Sequence, residues 1–276
     1  MSTEPCLGHE AVPLLGYSMP PGVTAFSTMR AGGVSKGSYA AMNVNAYCGD
    51  NPADVAENRR LLARRLGLAA DRIIIPHQTH GIRVRAIDGD FLSLPLAGRS
   101  AQLEGVDAVM TSLPDVCVGV STADCIPVLL ADPVGRVVAA VHAGWRGTVG
   151  RIVMRVVAEM ERVYGSRPSR LVAAIGPGIS LRAFEVGQEV YGHFAAEGFE
   201  MDKIASRRDK WHIDLPLCNQ MQLLEAGVRA ENIFNSGVCT YHHADQYFSA
   251  RRLGRASGRV YSGIFVRSEG LNVDGM

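Results

Sequence analysis

The apolar residues of this 276-residue chain recur in two rhythms, one helical and one alternating. Behind the turn residues Gly49-Asp50-Asn51-Pro52, Val55, Leu61, Leu62 and Leu66 fall at helical spacing, which predicts a helix over 53–67 closed by Gly67. A second stripe of Ile152, Val153, Val156, Val157, Met160 and Val163 predicts a helix over 148–164 that stops before Gly165. Residues 186–195 and 215–226 carry weaker helical patterns. Strand patterns occupy 72–75, 82–87, 107–111, 116–121, 171–175 and 261–266. The runs 126–130 and 137–141 flank Asp132-Pro133-Val134-Gly135, the chemistry of a reverse turn, and so predict a hairpin. Strands occur both as a hairpin and on either side of helices. The expected fold is therefore α/β, a single domain over 1–276 with mixed β-sheets flanked by helices. No repeat, low-complexity tract or linker interrupts it.

Composition narrows the classes. Hydrophobic residues make up 47% and charged residues 20%, which excludes a disordered chain. A formal net charge of +1 gives no field for gathering nucleic acid or an anionic membrane, so neither is expected as a partner. The longest apolar region, 116–141, is broken by Asp124, Asp132 and Arg136 and is no membrane span. The first residues lack a basic stretch followed by an apolar one, so no secretory signal is expected. Six cysteines, at 6, 48, 117, 125, 218 and 239, include no Cys-x-x-Cys pair. That spacing disfavours a disulfide framework or a four-cysteine zinc and fits a reduced, cytoplasmic setting.

Three segments break apolar elements with reactive side chains. They are Pro76-His77-Gln78-Thr79-His80-Gly81, Ser121-Thr122-Ala123-Asp124-Cys125-Ile126-Pro127, and Val141-His142-Ala143-Gly144-Trp145-Arg146-Gly147-Thr148. Histidine and cysteine from these loops can meet at one end of a sheet. Two imidazoles and a thiolate suit Zn²⁺ with a fourth position left open, the mark of a catalytic site. Few hard oxygen ligands are on offer for Mg²⁺ or Ca²⁺. Other histidines and cysteines have plainer readings. Cys117 sits mid-strand without polar company and reads as core. His242 and His243, adjacent in an extended loop, point apart, while His193 and His9 read as solvated.

The run from Thr122-Ala123-Asp124-Cys125-Ile126-Pro127 through Val141-His142-Ala143-Gly144-Trp145-Arg146-Gly147-Thr148 resembles the signature of the YfiH-type family. That family is also called the laccase-domain or polyphenol oxidase family, and is now regarded as purine nucleoside phosphorylases. Gln78-Thr79-His80-Gly81, Glu57-Asn58-Arg59 and Phe184-Glu185-Val186-Gly187 are similar to further blocks of it. One departure is Met29, which stands between Thr28 and Arg30 where the family runs directly from Thr to Arg.

The resemblance implies zinc ligands at His80, Cys125 and His142, with His77 outside that triad and structural. It implies phosphorolysis of adenosine, inosine or S-methyl-5′-thioadenosine to free base and a sugar 1-phosphate, and deamination of adenosine by water. Purine nucleosides and phosphate are the expected partners, for a monomer or weak dimer. Asp124 is expected as an orienting residue or general base, Arg146 as a phosphate contact, and Asn43 and Arg59 as ribose or phosphate contacts. Arg251 is a further candidate. Rival readings are a copper-dependent polyphenol oxidase, a cysteine hydrolase using Cys125 and His142, and a non-enzymatic zinc-binding protein of cell-envelope upkeep. Multicopper chemistry calls for many histidines in His-x-His pairs, and the chain has eight histidines and no such pair. Cu²⁺ can still displace zinc in vitro, because N/S ligands bind it more tightly.

Overall fold

Successive side chains of a strand point to opposite faces of its sheet, and here both faces are apolar. In the strand Val137–Ala143, Val137, Ala139, Val141 and Ala143 join one buried cluster, while Val138 and Ala140 join another. A sheet of this kind must be covered on both sides. The computed structural model, which describes residues 12–268, shows how. Cys6 and His9 lie outside the described residues.

Fourteen strands form three sheets among the described residues: β1 Leu14–Gly16, β2 Val23–Thr28, β3 Ile73–Ile74, β4 Val84–Ala86, β5 Ala108–Thr111, β6 Cys117–Thr122, β7 Ile126–Asp132, β8 Val137–Ala143, β9 Val172–Ile175, β10 Glu185–Val186, β11 Ala205–Arg207, β12 Trp211–Ile213, β13 Ile233–Asn235 and β14 Val260–Val266. Their orders are β1-β2-β14-β6-β3, β13-β9-β7-β8-β5-β4 and β10-β12-β11. The two large sheets are mixed. The pairs β3/β6, β4/β5 and β9/β13 run parallel, and the rest of their pairs antiparallel.

The two large sheets stack face to face. Val118, Val120, Ile264 and Val266 of one meet Val109, Leu129, Val138 and Ala140 of the other. The outer face of the five-stranded sheet, through Phe26, Cys117, Tyr261 and Phe265, is covered by the Pro52–Leu66 helix. The outer face of the six-stranded sheet packs on the Ile152–Tyr164 and Leu215–Glu225 helices. The result is helix, sheet, sheet, helix, a mixed α/β fold in which each fully buried Val, Leu or Ile contributes about 1.5–3 kcal/mol.

The predicted hairpin is β7/β8, with Ile126 opposite Ala143 and Asp132 opposite Val137. The helix expected over 53–67 spans Pro52–Leu66, capped by the Asn51 side chain at its start and by Gly67 at φ 68° at its end. The helix expected over 148–164 is instead two, Trp145–Val149 and Ile152–Tyr164. In one continuous helix the Thr148 carbonyl would accept the amide of Ile152. Here it accepts Arg151 N–H, with Arg151 at φ 60°, and the buried Gln222 side chain at 2.7 Å. Gly187 likewise splits the segment expected as a helix over 186–195 into β10 and a helix over Gln188–Ala196. Among the described residues no helix is long and apolar enough to cross a membrane.

Candidate metal centre

Cys125 sits where the chain leaves the five-stranded sheet at Thr122 and enters the six-stranded one at Ile126. His142 is one residue before the end of β8, and Pro127 of β7 is its cross-strand partner. His80 lies in the loop between β3 and β4. The ligand atoms of His80, Cys125 and His142 all fall within 4.8 Å of one another, and the two imidazoles meet edge to face at 4.9 Å. His142 is buried, Cys125 half-buried and His80 exposed, so the cluster opens to solvent on one side.

Gly144 is the floor of this arrangement. A Cβ there would lie 3.0 Å from His80 Cδ2 and 3.2 Å from Cys125 Sγ. Any larger residue would press on His80 and Cys125, which is the steric reason for a glycine two residues after the β8 histidine.

Asp107, fully buried immediately before β5, ties two of the three together. Its Oδ1 accepts Nδ1–H of His142 at 2.7 Å and the amide of His80 at 2.9 Å. Its Oδ2 accepts the amides of Gly81 at 2.7 Å and Thr79 at 3.3 Å. Three successive N–H groups on one carboxylate hold His80 at φ 64°, a conformation that costs a non-glycine residue about 1–3 kcal/mol. With Nδ1 so engaged, Nε2 is the nitrogen His142 presents to a metal.

The electrostatics suit a soft cation. Burial opposes a charged Cys125 thiol, but His142 and His80 outweigh it and bring the thiol down to about 6. Burial likewise opposes a charged His142, yet Cys125 and Asp107 lift it to about 9. Burial would raise Asp107, whereas His142 and the Gly81 and Thr79 amides hold it below the ordinary carboxylate value. One thiolate and two imidazoles, backed by a carboxylate and floored by a glycine, fit a divalent metal of the zinc type. This is the one such cluster of three or more potential ligands among the described residues.

The triad forms part of the wall of a cavity of about 570 Å³. Arg146, Arg255 and Arg259 line it, as do the Tyr47–His77 stack (4.3 Å between centroids, 21° between planes) and Asn45. The Gln78 side chain closes both backbone bonds of Ser121, at 2.9 and 2.8 Å, which joins the His80 loop to the end of β6.

Other residues singled out in the sequence sit elsewhere. Asp124, at φ 85°, turns its carboxylate onto Thr240 Oγ1 (2.7 Å), Ser249 Oγ (2.6 Å) and the Arg251 amide (2.6 Å). It orients the Cys125 turn, and with three donors on it the carboxylate is not placed as a general base. Asn43 is buried behind the cavity, donating to Asp50 Oδ2 at 2.8 Å and accepting the Arg259 amide at 3.1 Å. Arg59 donates to the Val44 carbonyl at 3.0 Å. Both shape the 43–48 loop rather than line the cavity. Arg251 lies over the Phe184 ring and donates to the Glu185 carbonyl. Arg30 donates to the carbonyls of Ala40 and Ala244. His242 and His243 are exposed and apart from the triad. Cys117 is core, its thiol pushed up to about 12 by burial.

The chain is similar to known proteins over nearly its full length. Residues 24–267 match the family model described as multi-copper polyphenol oxidoreductase laccase. A purine nucleoside phosphorylase of Bacteroides thetaiotaomicron is 43% identical over 263 residues, covering 94% of this chain and 96% of that one. Adenosine deaminase RL5, from an unknown prokaryotic organism, is 44% identical over 247 residues, covering 88% and 94%. The crystal structure of YlmD from Geobacillus stearothermophilus superposes with a TM-score of 0.86 at 30% identity, covering 94% of this chain and 98% of that one. A stacked-sheet fold, a His-Cys-His cluster and near full-length identity above 40% lead to one assignment: the chain belongs to the YfiH-type, laccase-domain family.

Proposed function

We propose that this protein is a zinc-dependent purine nucleoside phosphorylase. It takes adenosine, inosine and S-methyl-5′-thioadenosine with phosphate to the free base and the (methylthio)ribose 1-phosphate. The observation that carries the reading is the placement of His80, Cys125 and His142 on the wall of the same cavity that Arg146, Arg255 and Arg259 line. The phosphorylase names of several relatives support it.

His80, Cys125 and His142 would hold the zinc, which when bound supplies a Lewis-acid centre beside the reacting sugar and anion. The remaining work belongs to the chain. Arg146 is exposed at the cavity and stacks over Trp145 at 4.3 Å, so its guanidinium is splayed on a rigid surface where it can grip a phosphate bidentately. Arg255 and Arg259 add positive charge on the same wall, and three guanidiniums concentrate a small dianion without a basic protein overall. Tyr47 offers an aromatic face of the size a purine needs. Zinc is favoured over copper because a single thiolate-containing cluster lacks the several sites multicopper oxidation requires. Five free thiols among the described cysteines support a reducing, cytoplasmic setting.

A second activity, deamination of adenosine to inosine by water, is supported by the relative named adenosine deaminase RL5. One assay separates the two. Purified protein with adenosine and phosphate should yield adenine and ribose 1-phosphate. The same mixture without phosphate should yield inosine and ammonia if deamination occurs. Neither product from active-site-competent, metal-loaded protein would remove the enzymatic reading.

A further inference from the structure

We propose that His77, which stands outside the metal triad, is the general acid that protonates the departing purine at N7. The proposal rests on the phosphorylase reading above. His77 lines the cavity, whereas Glu104 does not. Both Glu104 carboxylate oxygens lie on His77 Nδ1, at 2.8 and 2.9 Å. Nδ1 is therefore turned out of the cavity and Nε2 is the nitrogen left for a ligand. Among the described residues no hydrogen bond engages Nε2.

The ring is also held in place. Its backbone amide donates to the Leu103 carbonyl at 3.1 Å, and its carbonyl accepts the Gly105 amide at 2.9 Å. Tyr47 covers one face of the imidazole. Such anchoring is more than a solvated surface histidine needs, and it points one titratable edge into the space where a nucleoside would lie. A purine lying edge to edge with His77, in the plane of the imidazole, would bring N7 within reach of that nitrogen.

In its protonated form the ring donates from both nitrogens, Nδ1–H to Glu104 and Nε2–H to the base. As an oxygen of hydrogenphosphate bonds to C1′, the C1′–N9 bond breaks and its electron pair passes into the purine. The Nε2 proton moves to N7, giving the neutral base. His77 is left neutral with Nδ1–H still on Glu104. It regains a proton, through solvent, in place of the one hydrogenphosphate releases as the sugar ester forms. Both side chains reach solvent, at 36% and 62% exposure, so that exchange has a path.

Two measurements test this. First, His77→Ala should lower kcat for adenosine by about 10²–10⁴-fold, the range for loss of a general acid. With 4-nitrophenyl β-ribofuranoside, whose leaving group needs no proton, kcat should stay within about twofold of the wild type. Glu104→Gln should show the same selectivity more weakly, and His77→Gln serves if the alanine variant does not fold. Equal losses on both substrates, or none on adenosine, would overturn the assignment. Second, wild-type protein should bind adenosine about tenfold more tightly than 7-deazaadenosine, the worth of one hydrogen bond, and His77→Ala should bind both alike. A preference that survives in the variant overturns the proposal, and so does its absence in the wild type. This comparison needs no turnover, so it tests the His77–N7 contact separately from the phosphorylase reading.

Discussion

Asp107 Oδ1 lies 2.7 Å from His142 Nδ1, and the same oxygen receives the backbone N–H of His80. One buried carboxylate therefore sets the tautomer of one triad histidine and the backbone conformation of the other. Asp107→Asn keeps the shape but removes the charge and half the acceptors. Zinc affinity should fall by about 10–100-fold, measured by chelator competition. If Asp107 served folding alone, the melting temperature would drop while affinity per folded molecule stayed unchanged.

Metal ligation requires a thiolate and a neutral imidazole. With Cys125 near 6 and His142 near 9, the metal-free pair at pH 7.5 is thiolate and imidazolium. Binding one zinc must then expel the His142 proton, while the thiol has none to lose. Apparent affinity should rise about tenfold per pH unit between those two values, flatten above and steepen below, where the thiol is protonated too. Calorimetry at pH 7.5 in buffers of different ionisation enthalpy counts the protons. One proton per zinc from this pair is expected, and none would contradict the ion-pair description.

Asp124 anchors the turn that carries Cys125 to the 240–251 segment through three hydrogen bonds. Asp124→Ala leaves those donors without partners, and the unfolding free energy should drop by about 3 kcal/mol. Denaturant titration checks it. A loss of kcat with unchanged stability would instead favour the general-base role expected from the sequence.

Arg146 is an exposed guanidinium at the cavity, held over Trp145, and its loss should be felt by phosphate rather than by the nucleoside. Arg146→Ala should raise the KM for phosphate about tenfold, the cost of one charge-assisted hydrogen bond, with the KM for adenosine little changed. Steady-state kinetics with each substrate varied in turn gives the answer.

The triad could be read from the sequence because its members interrupt apolar strands in glycine-bounded loops, and the β7/β8 hairpin because its turn residues announce it. Asp107 could not. An aspartate at the start of a strand looks like any turn cap, and its worth comes from a contact with His142, 35 residues on. Tyr47, Arg255 and Arg259 were missed for a similar reason, since the cavity is assembled from segments more than 200 residues apart. Asn43 and Arg59 were expected to touch substrate because they are polar residues in family-like blocks. They are polar because the 43–48 loop needs buried partners for its backbone. The break at Gly150-Arg151 is invisible in the apolar stripe, which continues through it, because the cause is Gln222 on a different helix.

The most direct test of the account compares zinc content and phosphorolysis of adenosine in the wild type and in Cys125→Ser, both purified and reconstituted in the same way. About one zinc per wild-type chain is expected, with phosphate-dependent release of adenine, and loss of both in the variant. A Cys125→Ser protein that lacks zinc yet releases adenine at the wild-type rate would contradict the account.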